Sequence, residues 1–378
     1  MNEQAGRGSK QADWKTLRPA LIASSRAISD YWQFLEHLLV GLADESIPAA
    51  LVCSSDKAAE AIVWPGIEVI KYPVYELPFM GRYNKRLLLD KLEEFQPTVL
   101  HGMCEKEAGL IRQLARELGL PYVLTLNSLA RRWDQLAMSK SRLAKIVVPT
   151  MSIAQSVEKF YPNFSRRVEH VNKGTFTSDA TACFSVAGRL PSIITSAVTD
   201  NGGEFDNLLK ALKRLAMAKY EFLLVIIGGG RTEEQLRKQI NKLDLVQKVT
   251  IAPKVEPHRL VLSAGDIFVQ AQPSDSFNPM LLEAMSVGTA VAACKGGVDD
   301  LIIEGKTAAV FNPKDELSVF NCLQKLLDSR ESAKQLAKSA QQYLRENYTV
   351  SNMVKSTLRI YREAQHKKQQ EMQQIKSS

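Results

Sequence analysis

Cysteine is scarce and scattered. Its five positions, Cys53, Cys104, Cys183, Cys294 and Cys322, are odd in number and contain no C-x-x-C pair. That argues against zinc ribbons, redox dithiols and a disulfide scaffold, and fits a reducing cytoplasm. No apolar run approaches the ~20 residues of a membrane-spanning helix. The opening MNEQAGRGSKQADWK lacks the apolar core of a secretory signal. Walker-A and G-x-S-x-G patterns are absent. The glycines at 228–230 have neither the G-x-G-x-x-G spacing nor a well-placed ribose acid, which weakens a nicotinamide reading. Neither heptads nor a longer repeat is visible. No H-x-x-x-H or Cys/His cluster is found, so no metal site is expected.

Charge of one sign is only mildly in excess, with 49 basic against 41 acidic residues for a net +8. A nucleic-acid reader concentrates its charge on one stripe. Here it is spread over both halves, so no nucleic-acid partner is expected. The densest clusters are Arg131-Arg132 with Lys140, Arg142 and Lys145, then Arg166-Arg167. They read as a solvated surface, or as a docking face for an anionic acceptor or the inner face of a membrane.

What is present is an ordinary globular composition over 378 residues, 45% hydrophobic and 24% charged, enough for about two domains. Short apolar runs at 19–24, 47–53, 66–72, 97–101, 121–126 and 145–150 alternate with helical patterns. Among the latter are 83–95, 105–118 and a basic helix around Trp133. Ser54, Ser55 and Asp56 offer N-cap chemistry for the helix after the second strand. Such non-alternating strands are buried on both faces, as in a parallel α/β layer. Periodicity lapses over HVNKGTFTSDATACFSVAGRLP (170–191) and then resumes. Strands are expected at 191–198, 221–227, 248–252, 266–271, 289–294 and 308–311. Helices are expected at 204–218, 233–243, 279–287 and, briefly, 298–303, with long amphipathic helices closing the chain. The expected division is a loose segment 1–17, a Rossmann-like domain 18–175, a linker 176–191, a second Rossmann-like domain 192–347, a helix 348–364 and a frayed polar tail 365–378. Ligands of such folds sit at the carboxyl ends of the strands.

The sharpest segment is QPSDSFNPMLLEAMSVGTAVAA (272–293), a strand running through a polar loop into a helix. Asp275 falls on the loop and Glu283, eight residues on, inside the helix. Carboxylates accept paired bonds from vicinal hydroxyls, which suits ribose or a pyranose. A helix start at Ser276, Phe277 and Asn278 offers N–H groups to an anion, although Pro279 has none. The plain alternative makes Asp275 a helix cap. Likewise Gly228, Gly229 and Gly230 line a ligand or simply turn the chain.

This segment resembles the E-x7-E signature of the family-4-type retaining glycosyltransferases. The resemblance extends through LLVIIGGGRTEEQLRKQINKLDLVQKVTIAPKV, EAMSVGTAVAACKGGVDDLIIEGKTAAVFNPKD and HVNKGTF. It is strong in the second domain and weak before residue 95. It implies the GT-B fold, two Rossmann-like domains facing each other across a cleft, with the last helix crossing back. It further implies that Glu283 holds the ribose, that Asp275 (usually a glutamate) faces the donor sugar, and that Lys254-Val255 lie where backbone reads the base. Several family features are missing. Val198 and Gly203 stand where an arginine and a lysine neutralise the departing diphosphate, and Asn127 replaces a histidine near the reacting sugar. His101 matches the first of a histidine pair whose second member is Met103. It is either an acceptor-side group or a core histidine.

The resemblance implies a hexosyl transferase that retains configuration, takes a nucleotide-sugar as co-substrate without metal or resident cofactor, and builds a surface glycan or other glycoconjugate. Asp275 and Asn127 are the expected catalytic groups. Phe277, Asn278, Gly202 and Gly203 would receive the diphosphate, with Arg26, Arg231 or Lys295 as substitute cations. His101, Arg131 and Arg132 would face the acceptor. The missing cations motivate a non-catalytic nucleotide-sugar-binding relative as the alternative. A sugar-nucleotide epimerase is a second alternative, for which no acid/base set can be assembled from sequence.

Overall fold

The computed structural model describes residues 17–53, 64–72, 81–132, 134–196, 205–228, 233–253, 258–294, 296–298 and 300–377. Of the segment 1–17 expected to be loose, residues 1–16 lie outside them, as does the 54–56 cap, and Leu17 is buried in the core. Among the described residues two wholly parallel sheets carry the fold. The first contains β1 (Pro19–Ala23), β2 (Ala49–Cys53), β3 (Ile67–Lys71), β4 (Val99–Gly102), β5 (Tyr122–Thr125), β6 (Leu143–Val148) and β7 (Val168–His170), in the order β3-β2-β1-β4-β5-β6-β7. The second contains β8 (Ser192–Ser196), β9 (Leu223–Ile227), β10 (Val249–Ala252), β11 (Ile267–Gln270), β12 (Ala290–Cys294) and β13 (Ala309–Phe311), in the order β10-β9-β8-β11-β12-β13. Strands β1, β2, β4, β5, β11 and β12 are buried at every residue, which is why their sequences are continuously apolar.

Helices α1 (Ser25–Asp44), α2 (Gly81–Phe95), α3 (Ala108–Glu117) and α4 (Met151–Phe160) belong to the first unit. The second carries α5 (Asp206–Met217), α6 (Glu233–Lys242), α7 (His258–Ser263), α8 (Pro279–Ser286), α9 (Glu316–Asp328) and α10 (Arg330–Asn347). Strand order reverses between β1 and β4 in one sheet and between β8 and β11 in the other. In such sheets that switch point, at the carboxyl ends, is where ligands bind.

The last helix, α11 (Val350–Ser377), returns to the first unit. Leu358, Ile360 and Tyr361 are buried in the core that Leu21, Leu39, Leu51 and Val123 build. The outgoing linker and the returning chain lie side by side: the Thr175 N–H donates to the Tyr348 carbonyl at 2.8 Å. A Cβ on Gly174 would stand 2.6 Å from Val350 Cα, so only glycine allows this approach.

Three expectations are corrected. Residues 134–142 are not helical. Their neighbourhood spends its polar groups elsewhere: the Arg131 N–H on Asp134 at 2.7 Å, the Ser139 N–H on the Tyr122 hydroxyl at 2.8 Å. Trp133 itself lies outside the described residues. The described residues of the short helix expected at 298–303 are not helical, and Gly296 and Gly297 precede them with φ of +90° and +98°. The polar tail continues α11 rather than fraying at 365. Sequence periodicity also missed α4, β7 and α7. Among the described residues no helix is long and apolar enough to cross a membrane.

Candidate functional site

At the switch point of the first sheet, chain reversal leaves backbone donors at the ends of β1 and β4. Buried Glu107 takes both: the Ser24 N–H donates to its Oε1 at 2.8 Å and the Cys104 N–H to its Oε2 at 2.6 Å. Two residues earlier, Glu105 serves the loop after β5. Its Oε1 accepts the Ser128 hydroxyl at 2.9 Å, and its Oε2 the Asn127 N–H at 3.3 Å. Asn127 is 0% exposed. Its Nδ2 donates to the Met103 carbonyl at 3.0 Å, and its Oδ1 has no hydrogen-bond partner among the described residues.

In the second unit, the loop after β11 carries Asp275, Phe277 and Asn278. Gly297 backs it, where a Cβ would meet Ser274 N at 2.9 Å, and the Val298 N–H donates to the Ser274 carbonyl at 3.0 Å. Asn278 caps α8: its Oδ1 accepts the Met280 N–H at 3.0 Å and the Leu281 N–H at 3.3 Å. The cap takes the Met280 and Leu281 N–H groups, while the Ser276 N–H donates to Ser274 Oγ at 3.1 Å.

The two loops join. Ser128 and Ser276 form an antiparallel bridge. The Leu129 N–H donates to the Asp275 carbonyl at 2.7 Å, the Phe277 N–H to the Asn127 carbonyl at 2.8 Å, and the two serine hydroxyls meet at 2.8 Å. Arg131 forms an ion pair with the Asp275 carboxylate. Behind this ladder the Tyr31 hydroxyl donates to the Phe277 carbonyl at 3.5 Å. Burial, then nearby Glu105 and Asp30, hold that phenol protonated. Asp275 and Asn127 are thus brought together at the cleft, but the loops are closed on each other.

Glu283, the expected ribose-holding group, is wholly buried, at 0% exposure. Its Oε1 accepts the Thr175 hydroxyl at 2.7 Å, and Arg259 Nη1 stands 3.4 Å from its Oε2. Arg259 also donates to Ser286 Oγ at 2.9 Å and Ser178 Oγ at 2.7 Å, so this carboxylate ties α8 to the linker.

His101 is not an acceptor-side group. It is 3% exposed, with Nδ1 2.6 Å from the Tyr361 hydroxyl of α11 and Nε2 2.8 Å from Thr125 Oγ1. Burial, then Lys173, lower its pKa to about 3, so it is a neutral core residue that pins the returning helix. Arg131 reaches across to Asp275 instead of outward, and Arg132 is exposed beside it. Gly228 ends β9 with φ +83° and donates its N–H to the Ala252 carbonyl at 2.8 Å. Gly202, Gly203, Gly229, Gly230, Lys254, Val255, Val198, Arg231 and Lys295 lie outside the described residues. Arg26 pairs with Asp30 at 3.3 Å.

Sequence reasoning missed Lys173, Glu105, Tyr31 and Arg259. Lys173 is buried at 7% exposure, with its ammonium 5.9 Å from the centroids of both Tyr31 and Phe34. Burial lowers its pKa to about 8, opposed by Cys104 and Glu105. It stood inside HVNKGTF, but nothing in that string tells that the ammonium is buried.

Two family matches divide the chain. Residues 191–343 match "Glycosyl transferases group 1" and residues 31–154 match the "Glycosyl transferase 4-like domain". Sulfoquinovosyl transferase SQD2 of Arabidopsis thaliana is 32% identical over 138 residues, 35% of this chain and 27% of that protein. A D-inositol 3-phosphate glycosyltransferase of Corynebacterium urealyticum is 25% identical over 250 residues, 64% of this chain and 56% of that protein. The matches thus span about a quarter to just over half the length of these curated relatives. A glycosyltransferase structure from Rickettsia africae superposes with TM-score 0.77 at 14% identity, over 93% of this chain and 99% of that one. The Anabaena HepE structure in complex with UDP-glucose gives 0.71 at 14%, over 90% and 98%. At these identities the structures establish the GT-B fold.

Proposed function

Since the chain belongs to the family-4-type glycosyltransferases, we propose that it moves a hexosyl group from a nucleoside diphosphate sugar to a hydroxyl of a glycan or glycoconjugate, with retention at the anomeric carbon. The observation that carries the reading is the convergence of both sheets' carboxyl-end loops on Asn127, Ser128, Asp275 and Ser276. A sugar held there would touch both units at once. The UDP-glucose bound by the Anabaena protein makes uridine the first base to test. In the transfer the bond from the sugar carbon to phosphate oxygen breaks and its electron pair leaves on the diphosphate. The acceptor oxygen bonds to that carbon and releases its proton to the diphosphate or to water. Asp275 can face the sugar only once Arg131 lets go, and α8 offers N–H groups to a phosphate only once the Asn127–Phe277 contact parts. Donor entry therefore requires the ladder to open.

The test is donor turnover by the purified full chain, with UDP-, GDP- and ADP-sugars each supplied beside a hydroxylated acceptor. Release of nucleoside diphosphate is expected, falling about 10²–10³-fold in Asp275→Ala. Asp275 is 58% exposed, so that variant should fold.

A second reading, a non-catalytic relative that binds nucleotide-sugars, draws on the engagement of Asp275 by Arg131 and of Glu283 by Thr175 and Arg259. It also draws on Val198 and Gly203 in place of cations. Binding of a donor with no release of diphosphate, whatever the acceptor, would favour it.

A further inference from the structure

Lys173 is a buried cation that the fold supports only at a distance. Among the described residues it has no ion pair and no hydrogen bond, only the faces of Tyr31 and Phe34, each at 5.9 Å. Contacts at that distance sit at the limit of cation–π attraction. They do not replace the water that a buried ammonium gives up. Depressed to about 8, the group still carries its proton at neutral pH, so the balance is unfavourable. Glu105 offsets part of that penalty through its charge, but its printed hydrogen bonds go to Ser128 and Asn127 rather than to the ammonium. The ammonium lies where α1, the linker and the start of α8 meet: Phe34 packs edge-on against Phe277 at 5.8 Å, and Tyr31 bonds to the Phe277 carbonyl. Beside the same Glu105 carboxylate, the wholly buried Asn127 Oδ1 also lacks a partner. A cation without a direct anionic contact and an acceptor without a donor thus lie near the same carboxylate. An ester phosphate bearing sugar hydroxyls offers both.

We propose that Lys173 is a phosphate-binding residue of the cleft, supplying from the linker the positive charge that Val198 and Gly203 do not. The inference rests on the glycosyl-transfer reading only for the source of the phosphate, which is either the donor's diphosphate or a phosphorylated acceptor.

Binding of UDP, uridine, pyrophosphate and glucose 6-phosphate is measured by calorimetry on the full chain and on Lys173→Met and Lys173→Arg. A charge-assisted contact of 1.5–3 kcal/mol corresponds to about 10- to 100-fold in affinity. That loss is expected in Lys173→Met for at least one phosphate probe, with uridine unaffected and Lys173→Arg within about fivefold of wild type. Loss for UDP assigns the donor, and loss for glucose 6-phosphate the acceptor. Unliganded Lys173→Met should melt a few degrees higher than wild type, because a desolvated charge is gone; a structural lysine would not behave so. Should Lys173→Met not fold, Lys173→Gln reads the same loss. The proposal is overturned if the uncharged variant binds every phosphate probe as wild type does, or if Lys173→Arg loses them as completely. Nucleotide binding that ignores Lys173 would leave the glycosyl-transfer reading standing. Lys173-dependent pyrophosphate binding with no nucleotide bound would overturn that reading alone.

Discussion

His101 sets an acid limit on stability. In the native state it is buried between Tyr361 and Thr125 with its pKa lowered to about 3, whereas in the unfolded chain it titrates near 6.5. Between those values the unfolded state binds the extra proton, so stability falls as pH drops below about 6.5 and is full above it. From pH 6.5 to 5 the loss is about 2 kcal/mol, read by urea denaturation at each pH. His101→Gln should flatten that slope; an unchanged slope would assign the acid sensitivity elsewhere. Lys173 shows the opposite arrangement, a group kept charged against its surroundings. Both were visible as letters, but neither its burial nor its partners follow from local sequence. The Tyr361 that claims His101 is 260 residues away.

At the scale of elements, α8 and the linker carry the argument. Glu283 joins them through Thr175 and Arg259. Glu283→Gln keeps the shape and removes the charge. The Arg259 contact is long at 3.4 Å and that side chain is partly exposed, so the cost should be about 1–2 kcal/mol, below the range for a tight buried pair. Combining it with Arg259→Met should cost less than the sum of the two, measured by a double-mutant cycle. Gly174→Ala would drive a methyl into the Val350 backbone. About 1–3 kcal/mol is expected, with proteolysis of α11 accelerated. Strands such as AALVC and AVAAC were legible because burial on both faces leaves a plain apolar run. The 134–142 segment was misread because its basic, amphipathic letters fit a helix, while its backbone bonds go to neighbours that sequence does not place. Residues 151–170 were passed over, although Thr150 caps α4 through a bond to the Ile153 N–H at 3.3 Å.

For the whole molecule the decisive feature is the ladder between the β5 and β11 loops. Ser128 and Ser276 stand opposite each other with hydroxyls 2.8 Å apart, close enough for a disulfide when both are cysteine. If donor entry needs the ladder to open, oxidised S128C/S276C should lose turnover at least about tenfold and regain it on reduction. Equal rates before and after reduction would show that the closed arrangement already admits substrate.

The sequence by itself determined two parallel α/β units, the family, and the Asp275–Glu283 segment with Asn127 as groups to examine, because buried strands and loop-to-helix transitions are written in local composition. Only the tertiary structure decided that Asp275 is clasped by Arg131, that Glu283 and His101 are internal, and that Lys173 is buried without an ion pair among the described residues. Those outcomes depend on desolvation and on partners brought together from distant parts of the chain, which are properties of the packed molecule.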